Sequence, residues 1–512
     1  MRVILLSIVA LVIADNPPGQ IHLSLGRNPN SMTVTWTTQH HASVSAILYG
    51  QDEPSALAFA VQTPFLDGGE EQRVIYMHKV TLQDLQPNST YVYKVGNNVS
   101  TEAFTWSPVY AFRTLPSGSD WPLTFAMLGD LGVEGGFSIP HLEKDAKSGA
   151  FHLILHNGDF AYDFDTNNGR LGDAFMRLMQ ETAARVPYMT AVGNHESAYN
   201  FSHYKTRFNM PGENNDDMFY SIDVGPVHFV AYVSDYYYFL QFGTQQIYRQ
   251  YAWLEKDLQE ANRPENRAKH PWIIVFSHRP MYCSNSDDAE HCTNPDNWIR
   301  TGIPFTDGKT KYYLLGLEEL FYREGVDIVF AAHEHSYERC YPAYKLKLCP
   351  THGSDPYNDP TGPVHIVAGS AGNKENQDPF LPTPQPWSAF RSDDYGYMRI
   401  TVQNATYMRL EQVSVKPFHG YSKNPTVIDE FVIRKSSNRP NFTCHEGLQS
   451  SGASNFNGGP GGATLMVVVC NSDLKDQTPQ KKASGSTFCP NGMWLELNDA
   501  KMSTVEVASL GP

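Results

Sequence analysis

The chain has little positive charge, no paired-cysteine motif and, after its first residues, no long hydrophobic run. Its 39 Lys and Arg stand against 54 Asp and Glu, and the resulting net charge of −15 excludes non-specific binding to nucleic acid. A later apolar stretch, residues 465–470, has only the length of a strand, so no membrane span is predicted. The seven cysteines include no Cys-x-x-Cys pair, which excludes a zinc knuckle. An anionic ligand would therefore need a locally positive site, which bound metal ions can create.

The N-terminus predicts a signal peptide over residues 1–14. Arg2 supplies a positive start, and the apolar run over residues 3–13 is too short to cross a bilayer. The alternative interpretation of this run is a buried first strand. A signal peptide predicts a secreted, extracellular protein, with a lysosomal-type compartment left open. Five Asn-x-Ser/Thr tripeptides agree with a glycoprotein, and they begin at Asn88, Asn98, Asn200, Asn404 and Asn441.

The cysteines predict disulfide bonds, as expected for an exported protein. Two pairs lie close enough in sequence to close short surface loops: Cys283 with Cys292, and Cys340 with Cys349. The other three form an odd set near the C-terminus, of which two could pair: Cys444, Cys470 and Cys489. The sequence alone leaves the connectivity open.

Residues 15–116 predict an all-β domain of the fibronectin type III-like sandwich type. Short runs of roughly alternating polarity, such as residues 31–38 and 43–49, are separated by polar or Gly-rich turns. Tyr91 stands where such sandwiches have a corner tyrosine, and Trp36 is the predicted core aromatic. The segment carries no cluster of His, Asp or Glu at ligand spacing, so it is interpreted as structural or substrate-shaping.

Residues 117–436 predict a catalytic domain in which strands alternate with helices. Six short apolar runs are the expected strands: residues 123–128, 151–155, 188–192, 227–231, 272–276 and 326–330. Such alternation predicts a largely parallel sheet with covering helices. Residues 395–414 predict a hairpin, and residues 437–512 form a C-terminal extension of unknown role.

Two amphipathic stripes predict helices within this domain. Tyr248, Tyr251, Leu254 and Leu258 make the first stripe at helical spacing. The second stripe ends at a glycine that serves as a helix stop, and it consists of Leu314, Leu317 and Phe321 before Gly325.

Polar residues of metal-ligating type follow directly on five of the apolar runs. Residues just past the ends of parallel strands meet at one rim of a sheet, where ligand sites form. A preceding glycine lets the backbone turn sharply, and His333 and His335 have the spacing that puts both imidazoles on one face of an extended segment. The set predicts a metal site and comprises Asp130, Asp159, Asn194, His278, His333 and His335.

The five blocks, in this order, resemble the calcineurin-like metallophosphoesterase superfamily and, within it, the long, animal-like purple acid phosphatases. They are Gly-Asp-Leu-Gly at 129–132, Gly-Asp-Phe-Ala-Tyr at 158–162, Gly-Asn-His-Glu at 193–196, Val-Phe-Ser-His at 275–278 and Ala-His-Glu-His at 332–335. Ala332 departs from the glycine usual in the family. The resemblance implies a β-sandwich flanked by helices, and it extends to residues 429–433, which resemble the family's closing strand.

Tyr162 distinguishes purple acid phosphatases from their relatives. Most of the superfamily has a histidine ligand where Gly132 stands, and purple acid phosphatases fill that vacancy with a tyrosine at the place of Tyr162. A phenolate is a hard anionic donor suited to ferric iron. The resemblance therefore implies an Fe(III) in the first site and a tyrosinate-to-iron charge-transfer colour.

Residue by residue, the resemblance implies two ligand sets. Asp130, Tyr162 and His335 would bind Fe(III), and a divalent Zn, Fe or Mn would be held by Asn194, His278 and His333. Asp159 would bridge the two ions. Two such metals clamp phosphoryl oxygens and generate a metal-bound hydroxide that attacks phosphorus.

The predicted function is that of an acid phosphatase acting on phosphate monoesters, whether small phosphate esters or phosphoproteins. His195 is the candidate catalytic acid for the leaving group, with a purely orienting role as the alternative. His291 is a weaker candidate for substrate contact, Glu196 is expected to hydrogen-bond within the ligand shell, and His156 is interpreted as structural.

Three other functions stay open at this stage. A phosphodiesterase or nucleotide pyrophosphatase would use the same centre, and an inactive secreted binding protein would keep only the scaffold. A Ser/Thr protein phosphatase is disfavoured by Gly132 and Tyr162. A homodimer is left open.

Overall fold

The computed structural model describes residues 16–98, 104–212, 218–286, 292–306, 311–417 and 424–444, and the backbone of two short strands. The chain divides into two units. One unit holds residues 1–303 and 313–447, and the other holds residues 304–312 and 448–512. In the second unit the two short strands form an antiparallel pair, Gln480–Lys481 with Thr487–Phe488. Most of the predicted C-terminal extension lies outside the described residues.

The N-terminal part of the first unit is all-β, as its alternating polarity predicts. Its strands are β1 Gly19–Leu25, β2 Met32–Thr38, β3 Val44–Gly50, β4 Ala56–Phe59, β5 Val61–Leu66, β6 Val74–Leu82, β7 Thr90–Asn98, β8 Thr105–Trp106 and β9 Tyr110–Arg113. They form two sheets in the orders β1-β2-β6-β5 and β4-β3-β7-β8, with β9 also paired to β7. Trp36 is fully buried, and the Tyr91 hydroxyl accepts the Gln86 N–H at 2.9 Å, as expected of a corner tyrosine.

This β domain shares a hydrophobic core with the part of the chain that follows it. Apolar side chains of both, including Ile21 and Tyr93 on one side and Leu155 on the other, belong to one buried cluster. Hydrogen bonds cross the same boundary, since Tyr93 donates to the Ala184 carbonyl at 2.8 Å and Gln180 accepts the Ile21 N–H at 3.1 Å. The β domain is therefore packed firmly against the second domain.

The second part of the first unit contains two facing sheets. The described strands over residues 123–434 are β10 Leu123–Leu128, β11 Leu131–Gly132, β12 Leu153–Asn157, β13 Phe160–Ala161, β14 Tyr188–Ala191, β15 Tyr220–Val224, β16 Val227–Ala231, β17 Trp272–Phe276, β18 Gly302–Thr306, β19 Lys311–Leu315, β20 Ile328–Ala331, β21 Tyr337–Cys340, β22 Ala343–Tyr344, β23 Lys347–Leu348, β24 Val364–Ala368, β25 Ser388–Ser392, β26 Tyr395–Asn404, β27 Tyr407–Lys416 and β28 Thr426–Arg434. One sheet has the order β14-β12-β10-β26-β27-β28, and the other has β15-β16-β17-β20-β24-β21-β25.

Alternate residues along the central strands explain the layering. Phe125 and Phe229 point inward and meet edge to face at 5.1 Å between the two sheets. Their neighbours Ala126 and Val230 belong to a second buried cluster, which also contains helical side chains such as Phe175. Because both faces of these strands are apolar, each sheet is covered on one side by its partner and on the other by helices. The predicted β-sandwich flanked by helices is confirmed.

Seven α-helices accompany the strands in the described part of the chain. They are α1 Ile139–Ser148, α2 Arg170–Ala183, α3 Ala198–Arg207, α4 Gln245–Ala261, α5 Pro264–Lys269, α6 Trp298–Thr301 and α7 Leu317–Arg323. Short 3₁₀ turns lie at Asn194–Glu196, Ser234–Tyr237 and Leu240–Phe242. Among the described residues, no helix combines the length and hydrophobicity needed to cross a membrane.

The first predicted helical stripe is confirmed by α4, in which Leu254 and Leu258 are buried. The second predicted helical stripe was wrong in one residue, because Leu314 lies in the strand β19 and not in a helix. Leu315 has φ +68°, which breaks the periodicity, and α7 begins only at Leu317, where two glutamates in the first turn suit the helix dipole. Gly325, at φ +62°, follows the end of α7 as predicted.

The disulfides agree with one predicted pair and overturn the other. Cys283 is bonded to Cys292, whereas Cys349 is bonded to Cys444 across 95 residues. Cys340 is a buried free thiol in the apolar core at the end of β21, so the predicted Cys340–Cys349 pair was wrong. The segment after β28 reaches the loop that contains Cys349. There the Cys444 N–H donates to the Thr361 carbonyl at 3.2 Å, and the Thr361 hydroxyl donates to the carbonyl of Pro350, the residue after Cys349. Cys470 and Cys489 lie outside the described residues.

Candidate metal centre

The side chains predicted as ligands follow the ends of five parallel strands. Asp130 follows β10, Asp159 follows β12 and Asn194 follows β14, which are adjacent strands of the first sheet. His278 follows β17, and His333 and His335 follow β20, its parallel neighbour in the second sheet. The carboxyl ends of both sheets therefore deliver these groups to one rim, as the rule for open parallel sheets predicts.

The turns after these strands are sharp. Asp130, Asp159, Tyr162 and His333 all have φ between +56° and +71°, a left-handed conformation that is uncommon outside glycine. The expectation that His333 and His335 lie on one extended segment was therefore wrong. The two imidazoles point into the site because the chain bends at His333, and not because of a strand-like alternation.

Two glycines are required by the close approach of these turns. A Cβ on Gly193 would stand 2.2 Å from the Asp159 Oδ1 atom, so no larger residue fits beside that carboxylate. A Cβ on Gly129 would stand 2.3 Å from the Cβ of Ala332. The glycine at 129 thus makes room for the alanine that departs from the family pattern.

The first group of polar atoms surrounds the Tyr162 hydroxyl, which is fully buried. It lies 3.3 Å from Asp130 Oδ1 and 2.8 Å from His335 Nε2. His335 Nδ1 is 2.9 Å from the Asn376 carbonyl, a contact that leaves Nε2 facing the tyrosine. Burial raises the pKa of Tyr162 well above its usual value, and Asp130 and Asp159 raise it further. Ionisation of this phenol therefore needs a cation among these atoms.

The second group is centred on His278, which is also fully buried. Its Nε2 atom lies 3.1 Å from Asp159 Oδ2, 3.0 Å from Asn194 Oδ1 and 3.1 Å from His333 Nδ1. Its Nδ1 atom lies 2.9 Å from the Asn157 carbonyl, which fixes the ring. Burial lowers the pKa of His278, but the negative charge of Asp159 outweighs burial and raises it to about 10.

The donor atoms fit a metal centre. Asp159, His278 and His333 each offer one ligand atom, and these atoms lie within 4.8 Å of one another. Carboxylate and phenol oxygens gather beside His335 in the first group, whereas the second group has imidazole and amide donors beside Asp159. Such buried polar atoms, turned toward one another rather than toward water, suit the binding of cations.

Glu196 holds the loops that present these atoms. Its carboxylate accepts the N–H groups of Asp159 at 2.9 Å, Phe160 at 2.9 Å and Gly193 at 2.8 Å. Burial, with the charge of Asp159, raises the pKa of Glu196 to about 8. Glu196 thus links the loop after β12 to the loop after β14 through their backbones.

His195 lies beside this cluster, with its side chain 18% exposed. Its Nδ1 atom is 2.6 Å from Asp163 Oδ1, and its Nε2 atom is 3.8 Å from Asp159 Oδ2 and 3.7 Å from Glu375 Oε2. Burial lowers its pKa, but Asp159 and Asp163 outweigh burial and raise it to about 9. The ring is thereby oriented by Asp163 and turned toward the candidate ligands.

Two other histidines considered in the sequence, His291 and His156, are not part of the described cluster. His291 falls outside the described residues. His156 Nδ1 contacts the Tyr188 hydroxyl inside the core, and the imidazole packs 4.1 Å from the Phe160 ring, centroid to centroid. This agrees with the structural role predicted for His156.

Several residues of the site went unnoticed in the sequence. Asn373 donates to the Tyr162 hydroxyl at 2.6 Å, and Asp378 accepts the His335 N–H at 2.6 Å. Asn373 lies in the loop beyond β24 and directly follows Gly372, so the Gly-Asn pair, the signal used for Asn194, could have found it. Arg279 NH1 lies 2.8 Å from His333 Nε2, and its position next to His278 was the available signal.

Comparison with known proteins identifies the class first. Residues 123–337 match the calcineurin-like phosphoesterase family. The structure of a purple acid phosphatase from seeds of yellow lupin (Lupinus luteus) has a TM-score of 0.68 at 23% identity, over 86% of this chain and 78% of that one. The fold is that of a metallophosphoesterase with an N-terminal all-β domain.

The flanking segments and two relatives with similar sequences narrow the class. Residues 18–114 match the purple acid phosphatase N-terminal domain, and residues 362–430 match the iron/zinc purple acid phosphatase-like protein C family. Acid phosphatase type 7 from Danio rerio is 45% identical over 84% of this chain and 95% of its own length. The Homo sapiens protein of that name is 46% identical over 78% of this chain and 87% of its own length. The chain belongs to the purple acid phosphatase family.

Membership confirms the prediction of an acid phosphatase on a metallophosphoesterase fold. The family also implies a dinuclear metal centre, and the clustered donors of this chain are suited to one.

Proposed function

We propose that the chain hydrolyses phosphate monoesters at an Fe(III)–M(II) centre, in which M(II) is Zn, Fe or Mn. The ferric ion would be held by Asp130, Tyr162 and His335, and the divalent ion by Asn194, His278 and His333, with Asp159 between them. The observation that carries this proposal is the buried Tyr162 hydroxyl between Asp130 and His335. A hard phenolate oxygen beside a carboxylate favours a highly charged ion.

When bound, the metal pair supplies positive charge that polarises the phosphoryl oxygens and lowers the pKa of an attacking water. The chain's own groups prepare for this. Glu196 holds two of the ligand loops by their N–H groups, and backbone carbonyls orient His278 and His335. Because the donors are held before substrate arrives, little reorganisation is needed during the reaction.

His195 is the proposed proton donor to the leaving oxygen. Asp163 at 2.6 Å from Nδ1 fixes the ring and leaves Nε2 on the side of Asp159 and Glu375. An imidazole oriented by a carboxylate through one nitrogen can deliver a proton through the other, as in the serine protease triad. Asp163 is then a positioning residue for His195.

The metal assignment is tested with Tyr162→Phe. We expect the iron-loaded, oxidised protein to be violet and the variant to lose this visible band, because phenylalanine has no oxygen to donate charge to iron. Absorption spectra of both proteins at equal iron content are the measurement. Tyr204→Phe is the matched control, since that buried hydroxyl bonds to Thr190 in the core and the variant should keep the band. A colourless wild type with full iron would overturn the ferric assignment.

The role of His195 is tested with His195→Gln and a pair of substrates. We expect kcat to fall by about 10²-fold for an alkyl phosphate, whose alkoxide must be protonated as it leaves. For 4-nitrophenyl phosphate the loss should be less than about tenfold, because nitrophenolate leaves readily without a proton. Asp163→Asn should also lower kcat for both substrates, but by a smaller factor than His195→Gln does. Equal losses for the two substrates would contradict proton donation.

The setting proposed for this chemistry is an exported protein. Residues 1–14 would direct export, residues 15–116 and 117–436 would form the two domains, and the destination would be extracellular or lysosomal in type. Two disulfides support an oxidising compartment. The strand boundaries support the domain limits, since β9 ends at Arg113 and β10 begins at Leu123.

A further inference from the structure

Arg279 brings a positive charge to the edge of the candidate metal centre. Its guanidinium NH1 lies 2.8 Å from His333 Nε2, and its own backbone N–H donates to Ser234 Oγ at 2.8 Å. The residue follows His278 directly, so the turn after β17 delivers both side chains to the same rim. In a chain with a net charge of −15, such a local cation is well placed to attract an anion.

The guanidinium is held rigidly. Its Nε donates to Asp235 Oδ1 at 2.9 Å, and Asp235 is completely buried while the arginine side chain is 14% exposed. The guanidinium carbon lies over the Tyr238 ring, 4.6 Å from the ring centroid, in a cation–π contact. Because Nε is bonded to Asp235 and one N–H of NH1 to His333, the NH2 group and the second N–H of NH1 are left to face a ligand.

Donors remain for such a ligand. A guanidinium carries five N–H groups, and Asp235 and His333 engage two of them. Among the residues that the structure describes, no acceptor takes the other three. Two parallel N–H groups match two oxygens of a phosphate, which is the geometry that makes arginine a strong phosphate ligand.

Arg279 and His195 lie at opposite ends of one series of contacts. From Arg279 it runs to His333 at 2.8 Å, to His278 at 3.1 Å, to Asp159 at 3.1 Å and to His195 at 3.8 Å. Both groups therefore border the candidate metal centre, the guanidinium next to His333 and the proposed proton donor next to Asp159.

We propose that Arg279, through the guanidinium fixed between Asp235, Tyr238 and His333, binds the phosphoryl oxygens of the substrate and gives the enzyme its preference for dianionic phosphate monoesters. This rests on the proposed function of the same centre. A monoester dianion has one more free anionic oxygen than a diester, so it gains more from the arginine. Arg279 is thus a specificity-determining residue, with Asp235 as its positioning residue.

The experiment uses the full-length, metal-loaded protein with Arg279→Gln and Arg279→Lys. KM and kcat are measured with 4-nitrophenyl phosphate and with bis(4-nitrophenyl) phosphate, and calorimetry gives the Kd for inorganic phosphate. We expect Arg279→Gln to raise the monoester KM and the phosphate Kd by about tenfold, with a change of less than about threefold for the diester. Arg279→Lys should be intermediate, because it keeps the charge without the fork.

Arg409→Gln is the matched control, since Arg409 is a surface arginine paired with Glu430 on β27 and β28 and should leave all values unchanged. Circular dichroism and metal analysis accompany every variant. Equal losses for monoester and diester, or wild-type phosphate affinity in a folded Arg279→Gln protein, would overturn the proposal. Loss of metal from Arg279→Gln would also overturn it, since the arginine would then act by holding His333. The iron content and visible band of the wild type test the metal assignment separately.

Discussion

Replacing Asp159 by asparagine is expected to lower kcat/KM for phosphate monoesters by at least about 10³-fold. The Asp159 carboxylate contacts His278 Nε2 at 3.1 Å and is the proposed bridge between the two ions. Asparagine has nearly the same shape but no charge, so the fold should survive while the attraction for both cations falls. The measurement is steady-state hydrolysis of 4-nitrophenyl phosphate together with the metal content per chain, which should drop below two.

Asp163→Asn is the informative comparison for that result. Asp163 is also a carboxylate near Asp159 in the sequence, in the loop after β13, but its contact is with His195 Nδ1 at 2.6 Å and it belongs to neither proposed ligand set. It should therefore retain the full metal content of the wild type while its activity declines moderately. Full metal content and activity within tenfold of wild type in Asp159→Asn would contradict the bridging assignment.

Removing the Cys349–Cys444 disulfide, by Cys349→Ser with Cys444→Ser, should lower the free energy of unfolding by about 3–5 kcal/mol. The bond closes a loop of 95 residues, and long loops gain the most from a crosslink that restricts the unfolded chain. Chemical denaturation of the oxidised wild type and the double variant measures the difference. The activity of the variant at low temperature should stay close to wild type, because neither cysteine contacts the candidate metal centre.

The variant Cys340→Ala distinguishes the Cys349–Cys444 disulfide from the Cys340–Cys349 disulfide that the sequence predicts. Cys340 is a buried thiol, so its loss should cost only about 1 kcal/mol for the small cavity. If Cys340 were bonded to Cys349 instead, Cys340→Ala would destabilise the protein as strongly as the double variant. Peptide mapping without reduction should find the Cys349 peptide linked to that of Cys444, and a Cys340–Cys349 link would refute the pairing.

The strand ends of the catalytic domain could be predicted well because both signals are local. Continuous apolar runs predict buried parallel strands, and a glycine followed by Asp or Asn marks the turn that ends them. Asp130 and Asp159 were found in this way. The direction of the His333 side chain was predicted for the wrong reason, because a left-handed residue at φ +71° cannot be inferred from spacing.

Long-range contacts explain what the sequence did not indicate. Cys349 meets Cys444 only because β28 and the segment after it return to the loop near Thr361, and neighbouring cysteines give no sign of this path. Asn373 and Asp378 join the site from the loop after β24, although they lie far in sequence from the Tyr162 and Asp130 turns. Leu314 shows that an apolar residue at helical spacing can belong to the strand that precedes the helix.

The β domain and the sheets behind the metal centre share one buried cluster, so the stability of each domain depends on the other. Tyr93 on β7 and Leu155 on β12 lose their solvent-protected neighbours if either domain is removed. The N-terminal domain is therefore no detachable accessory. Its strands stabilise the sheets that carry the candidate ligands. A destabilising substitution in the β domain, far from any ligand, would therefore also lower the activity of the catalytic domain.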